Sequence, residues 1–313
     1  MDIDLIGVPM FYGCDREGVE LGPDKLRELG LKELLEHKGS SVRDKGNIFV
    51  PFASPDMKYV RSSKMKYLDE ILTTAENLAT EVEDSLKRGR LPLVIGGDHS
   101  LALGSLAGVA GALGNRHAVI WIDAHTDINT DQTSPSGNVH GMPLAAAMGV
   151  GPTVLLSVHG KEKKVLDKNV YVVGARSLDR GEEKLIGDTR MTVYRIGDIH
   201  SSGMQSVIED LLRRLSESRI SDIHISYDID SLDKSLVPGT GTPVRNGLKL
   251  EESAQLVEAI MDTGLVRSID FVEYNPKLDK DGRTAKSCLY MLDVFAGCLG
   301  RQTGRLDIGR TGS

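Results

Sequence analysis

Short apolar runs rich in isoleucine and valine recur along the chain, separated by longer stretches in which apolar residues return every three or four positions. A strand is apolar throughout only when both its faces are covered, and a helix in each connection supplies that cover. The pattern predicts strands at residues 2–8, 91–95, 118–122, 170–173, 192–196, 222–227 and 266–272. It predicts helices at 24–37, 65–87, 206–216, 251–262 and 284–300. The clearest helix is 65–87, where Leu68, Ile71, Leu72, Ala75, Leu78, Ala79, Val82 and Leu86 fall on one face before Gly89 ends the run. This is an α/β chain around a mostly parallel sheet. Aromatic residues make up only 4% of it, with one tryptophan, Trp121, so the core rests on aliphatic side chains and close helix packing.

At 313 residues the chain fits a single domain, 1–313, around one sheet. Its last stretch, 301–313, is basic and contains glycine, as a flexible tail or an oligomer contact would be. The net charge is −7 with both signs interspersed, and no basic stripe tracks a phosphate backbone, so nucleic acid is excluded as a partner. No run reaches the ~18 apolar residues of a membrane span, and the opening M-D-I-D-L-I lacks a basic region followed by an apolar one; a cytoplasmic protein with no membrane contact is expected. Cys14, Cys288 and Cys298 are far apart and form no C-x-x-C pair, which reads as reduced packing residues.

Polar clusters close three of the predicted strands. The strand at 118–122 runs into Asp123, His125 and Asp127, whose i, i+2, i+4 spacing in extended backbone would point all three to one side. The strand at 222–227 ends in Asp228 and Asp230, with Asp233 just beyond. The strand at 91–95 runs into Gly96-Gly97-Asp98-His99, where the glycines permit a tight turn that presents His99 at the same edge and Asp98 supports a ligand. Ligands of parallel sheets bind beyond the carboxyl ends of strands, so the three ends converge. His99, Asp123, His125, Asp127, Asp228 and Asp230 combine four carboxylates with two imidazoles, too much negative charge to bury without cations. Two divalent ions balance it. Oxygen and nitrogen without sulfur suit Mn²⁺, with Co²⁺, Fe²⁺ or Zn²⁺ as substitutes. Such a pair, about 3.5–4 Å apart, holds a bridging water and yields hydroxide near neutral pH, which serves phosphate ester and amide-type hydrolysis alike.

Further motifs narrow the choice. G-G-D-H-S at 96–100, D-A-H-T-D-I-N-T at 123–130, S-P-S-G-N-V-H-G-M-P at 134–143, S-Y-D-I-D-S-L-D at 226–233 and G-T-G-T-P-V at 239–244 resemble the ureohydrolases, and within them the arginase family. Weaker matches at 7–9, 18–23 and 272–276 extend the likeness over almost the whole chain. The resemblance implies a three-layer α/β/α fold with about eight strands, assembly as homo-trimers or hexamers, two Mn²⁺ per subunit, and hydrolysis of L-arginine to L-ornithine and urea by attack of metal-bridging hydroxide on the guanidinium carbon. It implies the same six metal ligands. It makes His140 a proton shuttle, Asp127 the immediate proton donor and Glu273 the carboxylate that grips the guanidinium, with Thr242 shaping the pocket floor. Asn129, Ser134, Ser136 and Asn138 are then the donors to the α-carboxylate, and Asp179 is the partner of the α-ammonium. The chain departs from the family at Ser177, where an acidic residue is usual, at Lys234 in place of proline, and at Arg245-Asn246 in place of small residues. Sister enzymes acting on agmatine or a guanidino acid share the metal ligands but lack the S-P-S-G-N loop, so the loop favours arginine. A zinc deacetylase would need only one ion and so not all six ligands, and a non-catalytic homologue would not keep all of them.

Overall fold

Eight strands form one sheet: β1 (Asp2–Val8), β2 (Ser41–Asn47), β3 (Leu91–Gly96), β4 (Ala118–Ile122), β5 (Val170–Ala175), β6 (Thr192–Arg195), β7 (Ile223–Asp228) and β8 (Val266–Val272). The computed structural model describes residues 1–160 and 163–308. The spatial order is β2-β1-β3-β8-β7-β4-β5-β6, and every neighbouring pair is parallel. Eleven helices are present among the described residues: α1 (Gly22–Glu28), α2 (Leu31–His37), α3 (Leu68–Lys87), α4 (Ala102–Leu113), α5 (Pro143–Ala147), α6 (Thr153–Leu156), α7 (Arg180–Asp188), α8 (Ile196–Ser202), α9 (Met204–Glu217), α10 (Leu250–Met261) and α11 (Arg283–Ile308). The arrangement is the three-layer α/β/α fold.

Alternation along each strand divides the core. Ile3, Leu5, Leu93, Ile95 and Ile225 pack toward α1, α2, α9, α10 and α11 on one face. Ile6, Val8, Val94, Val119 and Trp121 face α3, α4 and α5 on the other. The second layer is drawn in by small residues: a Cβ at Gly104 or Gly108 of α4 would lie 2.5 Å from the carbonyl oxygen of Ala75 or Ala79 on α3, so the two helices touch through backbone.

Local chemistry accounts for where the expected elements shift. The segment 24–37 is two helices because Gly30, at φ 87°, turns the chain between them. The strand expected to end at Ile196 ends at Arg195, and Ile196 opens α8. The tail expected from 301 begins as a continuation of α11, which runs to Ile308, while 309–313 lie outside the described residues. All three cysteines are free and buried.

Asp4 is the one charged group on the covered part of β1. Its carboxylate accepts from Arg43 Nη2 at 2.7 Å, Arg90 Nε at 2.6 Å and Ser85 Oγ at 2.7 Å, tying β1 to β2 and α3. Burial pushes its carboxyl up, but these donors outweigh burial and hold it below the usual range. A group lowered on folding stabilises above its unfolded pKa and loses that contribution as the pH falls through the folded value, so this part of the stability disappears only in acid below about pH 4. Asp4→Asn leaves two guanidinium groups without their counter-charge. We expect it to destabilise by about 3 kcal/mol, read as a lower urea midpoint at neutral pH, with the deficit vanishing in acid. An unchanged midpoint would show the cluster to be energetically idle.

Candidate metal centre and substrate pocket

The four middle strands of the sheet, β3-β8-β7-β4, deliver their carboxyl ends to one place. Asp98 follows β3, accepts the Ser100 amide and so caps the short 3-10 turn that starts with His99. It also takes the Gly13 amide at 2.8 Å, fixing the loop after β1. The His99 ring stacks on Trp121, centroids 4.0 Å apart, and its Nε2 meets Ser226 Oγ at 2.8 Å. These contacts aim Nδ1 at the centre, 3.2 Å from Asp123, 3.1 Å from Asp127 and 3.3 Å from Asp228. His125 Nδ1 lies 3.2 Å from the other oxygen of Asp123 and 3.3 Å from Asp230.

The residues that spacing brought together do converge, but by a different backbone path. The chain bends straight after Ile122, and Asp127 sits at φ 50°, so Asp123, His125 and Asp127 reach one point through a turn rather than along an extended strand. Asp230 likewise stands in a 3-10 turn whose amide is capped by Asp228 at 2.7 Å. Asp233 leaves the cluster and clamps Ser235 and Gly247.

Two groups emerge, His99-Asp123-Asp127 and Asp123-His125-Asp230, with the ligand atoms of each within 4.8 Å of one another. Asp123 belongs to both, and Asp228 adjoins the first. The electrostatics call for cations. Burial, with repulsion from Asp123, pushes the Asp127 carboxyl up to about 7, and burial with the charges of Asp230 and Asp123 drives Asp228 well above its ordinary range. Burial opposes charge on both imidazoles, yet the surrounding carboxylates raise them well above theirs. His99 Nδ1, fully buried among three carboxylates, has no aligned hydrogen bond. A nitrogen lone pair aimed into a ring of carboxylates fits a divalent ion, and the sharing of Asp123 fits two. The structure therefore contains a binuclear His/Asp metal-binding cluster.

Beneath it lies Glu273, in left-handed backbone at φ 67° just past β8. Its Oε1 accepts the His99 amide at 2.9 Å and lies 3.0 Å from His140 Nδ1, while its buried Oε2 has no hydrogen-bond partner. Burial lowers the His140 pKa, but the bond and charge of Glu273 outweigh it and push it up to about 9.

A cavity of about 130 Å³ opens from the cluster, with His125, Asp127, His140 and Asp228 at one end, Ser134, Ser136, Asn138, Ser177 and Asp179 further out, and the buried Glu182 also in its wall. The two amides are largely committed to protein. Asn129 donates to Asp179 at 2.9 Å and accepts from Thr133 at 2.9 Å, and Asn138 donates to the Cys14 carbonyl at 3.1 Å and accepts from Lys66 at 2.8 Å. Ser134 and Ser136 use their oxygens as acceptors for the Gly137 and Asn138 amides, which leaves their hydroxyl protons for the pocket. Thr242 donates to Asp230 at 2.9 Å, so it braces a cluster residue as well as lining the pocket.

Two residues escape a reading of the sequence. Glu182 caps α7 reciprocally with Asp179 and takes Thr126 Oγ1 at 2.8 Å, joining the helix to the Asp123–Asp127 turn; the D-x-x-E spacing of a capping box is its signal. Arg176 donates to the carbonyls of Asp230, Ser231, Leu232 and Val244 at 2.8–3.2 Å and to that of Arg245, pinning both loops that carry Asp230 and Thr242. Nothing local in the sequence marks it. The departures at Lys234 and Arg245 are absorbed here: the Lys234 amide donates to Val244 at 3.1 Å, a bond that proline lacks.

Two His/Asp groups sharing a carboxylate, at the carboxyl edge of a parallel α/β sheet, define a binuclear metallohydrolase. The model of the arginase family matches residues 1–296, and the chain belongs to that family. The arginase of Bacillus subtilis is 42% identical over 295 residues, spanning 94% of this chain and 97% of its own. That of Brevibacillus brevis is 41% identical over 296 residues, spanning 95% and 98%. The native structure of the Bacillus caldovelox arginase matches with a TM-score of 0.89 at 40% identity over 95% of this chain and 98% of that one. Among the described residues no helix is long and apolar enough to cross a membrane.

Proposed function

We propose that this chain is an arginase that hydrolyses L-arginine to L-ornithine and urea, as one domain with two Mn²⁺ per subunit, Co²⁺, Fe²⁺ or Zn²⁺ being substitutes. Assembly as a homo-trimer or hexamer in the cytoplasm, without nucleic-acid or membrane partners, is part of the same reading. The observation that carries it is the two-ended pocket: carboxylates and imidazoles at one end, hydroxyl donors beside an acidic group at the other. That is the complement of a guanidinium joined by a short chain to a zwitterion.

His99, Asp123, Asp127 and Asp228 with His125 and Asp230 would hold the ions. Bound there, two divalent ions neutralise the four carboxylates and supply a water nucleophile near neutral pH. Ser134 and Ser136 donate to the α-carboxylate, supported by the loop that Asn129 and Asn138 brace, and Asp179 accepts from the α-ammonium. Glu273 Oε2 accepts from the guanidinium, and Thr242 keeps Asp230 in place. As water adds to the guanidinium carbon, one of its protons passes to an Asp127 oxygen; Asp127 hands that proton to the side-chain nitrogen as its bond to carbon breaks, and the remaining hydroxyl proton follows to the freed amine, leaving neutral urea and the ornithine ammonium. His140, with Nδ1 turned to Glu273, exchanges protons with solvent through Nε2.

Urea release from arginine and from agmatine tests this reading. Agmatine lacks the α-carboxylate and leaves the hydroxyl donors unpaired, so arginine should win by roughly a thousandfold in kcat/KM. Comparable values for the two would replace arginase by agmatinase.

A further inference from the structure

Three segments far apart in sequence meet at the rim of the pocket: the loop after β1, the approach to α3, and the loop 129–138. Lys66 is where they join. Its backbone amide donates to the Gly137 carbonyl at 3.0 Å, and its ammonium donates to Asn138 Oδ1 at 2.8 Å and to Asp15 at 2.9 Å. The other half of the Asn138 amide donates to the Cys14 carbonyl, so that side chain is held crosswise between two segments. The approach to α3 is packed too tightly against the loop for slack: a Cβ at Gly137, itself at φ 71°, would lie 2.8 Å from the Lys64 carbonyl oxygen.

Two consequences follow for the outer end of the pocket. With Asn138 fixed, its backbone amide occupies the Ser136 oxygen at 3.2 Å, so the Ser136 hydroxyl proton is what remains to be offered outward. Charge is also unbalanced there. Asp15 pairs with Lys58 and Lys66 alike, each at 2.9 Å, so this trio carries one net positive charge beside Asn138. The Lys66 side chain is only 13% exposed, so its field is less screened than that of a surface lysine.

We infer that Lys66 is a positioning residue that determines specificity, setting the geometry and the charge with which the loop 129–138 selects a substrate bearing a carboxylate. This rests on the arginine reading above. Lys66→Met should raise the KM for arginine by roughly ten- to a hundredfold, the size of a hydrogen bond involving a charged group, with kcat within about threefold. The loss in kcat/KM on agmatine should be at least about tenfold smaller. Lys66→Arg should recover most of the arginine KM, and Lys66→Gln, which keeps a donor for Asn138 without the charge, should fall between. If Lys66→Met does not yield folded protein, Lys66→Gln carries the same comparison. Equal losses on both substrates, a loss borne by kcat, or an unchanged arginine KM in an enzyme that still prefers arginine would overturn this role alone. An unmodified enzyme indifferent to the carboxylate would overturn the arginine reading along with it.

Discussion

Asp123→Asn is expected to reduce urea production by on the order of ten-thousandfold or more while making the metal-free protein less stable. Asp123 is the carboxylate common to both His/Asp groups, one oxygen facing each imidazole, so its loss weakens both ion sites together. Asparagine keeps an acceptor for Trp121 Nε1, now 2.9 Å from the carboxylate, which separates loss of charge from loss of packing. Without ions, burial opposes the Asp123 charge, but its contacts with the His125 and His99 imidazoles outweigh burial and hold its carboxyl well below the ordinary range, so removing that charge costs the folded chain stability. The melting temperature of the chelated variant should therefore fall below that of the chelated parent, and added Mn²⁺ should raise the parent's but scarcely the variant's. Metal analysis showing two tightly held ions in the variant would sink the idea.

Glu273→Gln should lower kcat/KM by about ten-thousandfold with metal content retained. The glutamine oxygen can still accept the His99 amide, so the turn bearing His99 survives. The unpartnered Oε2, however, becomes an NH₂, which on the proposed reading would meet the guanidinium with donors against donors. His140 also loses the carboxylate that raises its pKa, so the ring should give up its proton at lower pH than in the parent. The alkaline limb of the pH–rate profile should move to lower pH accordingly. A loss under about tenfold with an unmoved profile would show that Glu273 neither anchors the substrate nor sets His140.

Seven of the eight strands and the broad placement of the long helices were legible because a strand covered on both faces must be apolar along its whole length, a pattern that loops and exposed helices do not share. The missing one, β2, reads S-V-R-D-K-G-N and lies at the sheet edge, where one neighbour suffices and charged side chains meet water. Helix α4 was lost for the opposite reason: A-L-G-S-L-A-G-V-A-G-A-L is apolar all round, so it has no face to detect. In the site, the clustering of His99, Asp123, His125, Asp127, Asp228 and Asp230 was legible from residue type and strand ends, whereas the turns that bring them together were not. Positive φ at Asp127 and Glu273 is imposed by tertiary packing, and no local signal announces it. Lys66 and Arg176 act through backbone carbonyls and an amide distant in sequence, which only the folded chain brings near.

The sheet order also governs when the centre can exist. Strands β3 and β4, which carry His99 and the Asp123–Asp127 turn, are consecutive in sequence but are separated in the sheet by β8 and β7. A chain emerging from the ribosome has made four of its six candidate ligands by residue 127, yet the gap between them stays open for more than a hundred residues of further synthesis. Only when β7 and β8 slot into that gap do Asp228 and Asp230 arrive and Glu273 settle under His99. Ion loading is thus a late event coupled to closure of the longest-range pairings in the molecule, and a nascent or C-terminally shortened chain offers a metal ion no finished seat.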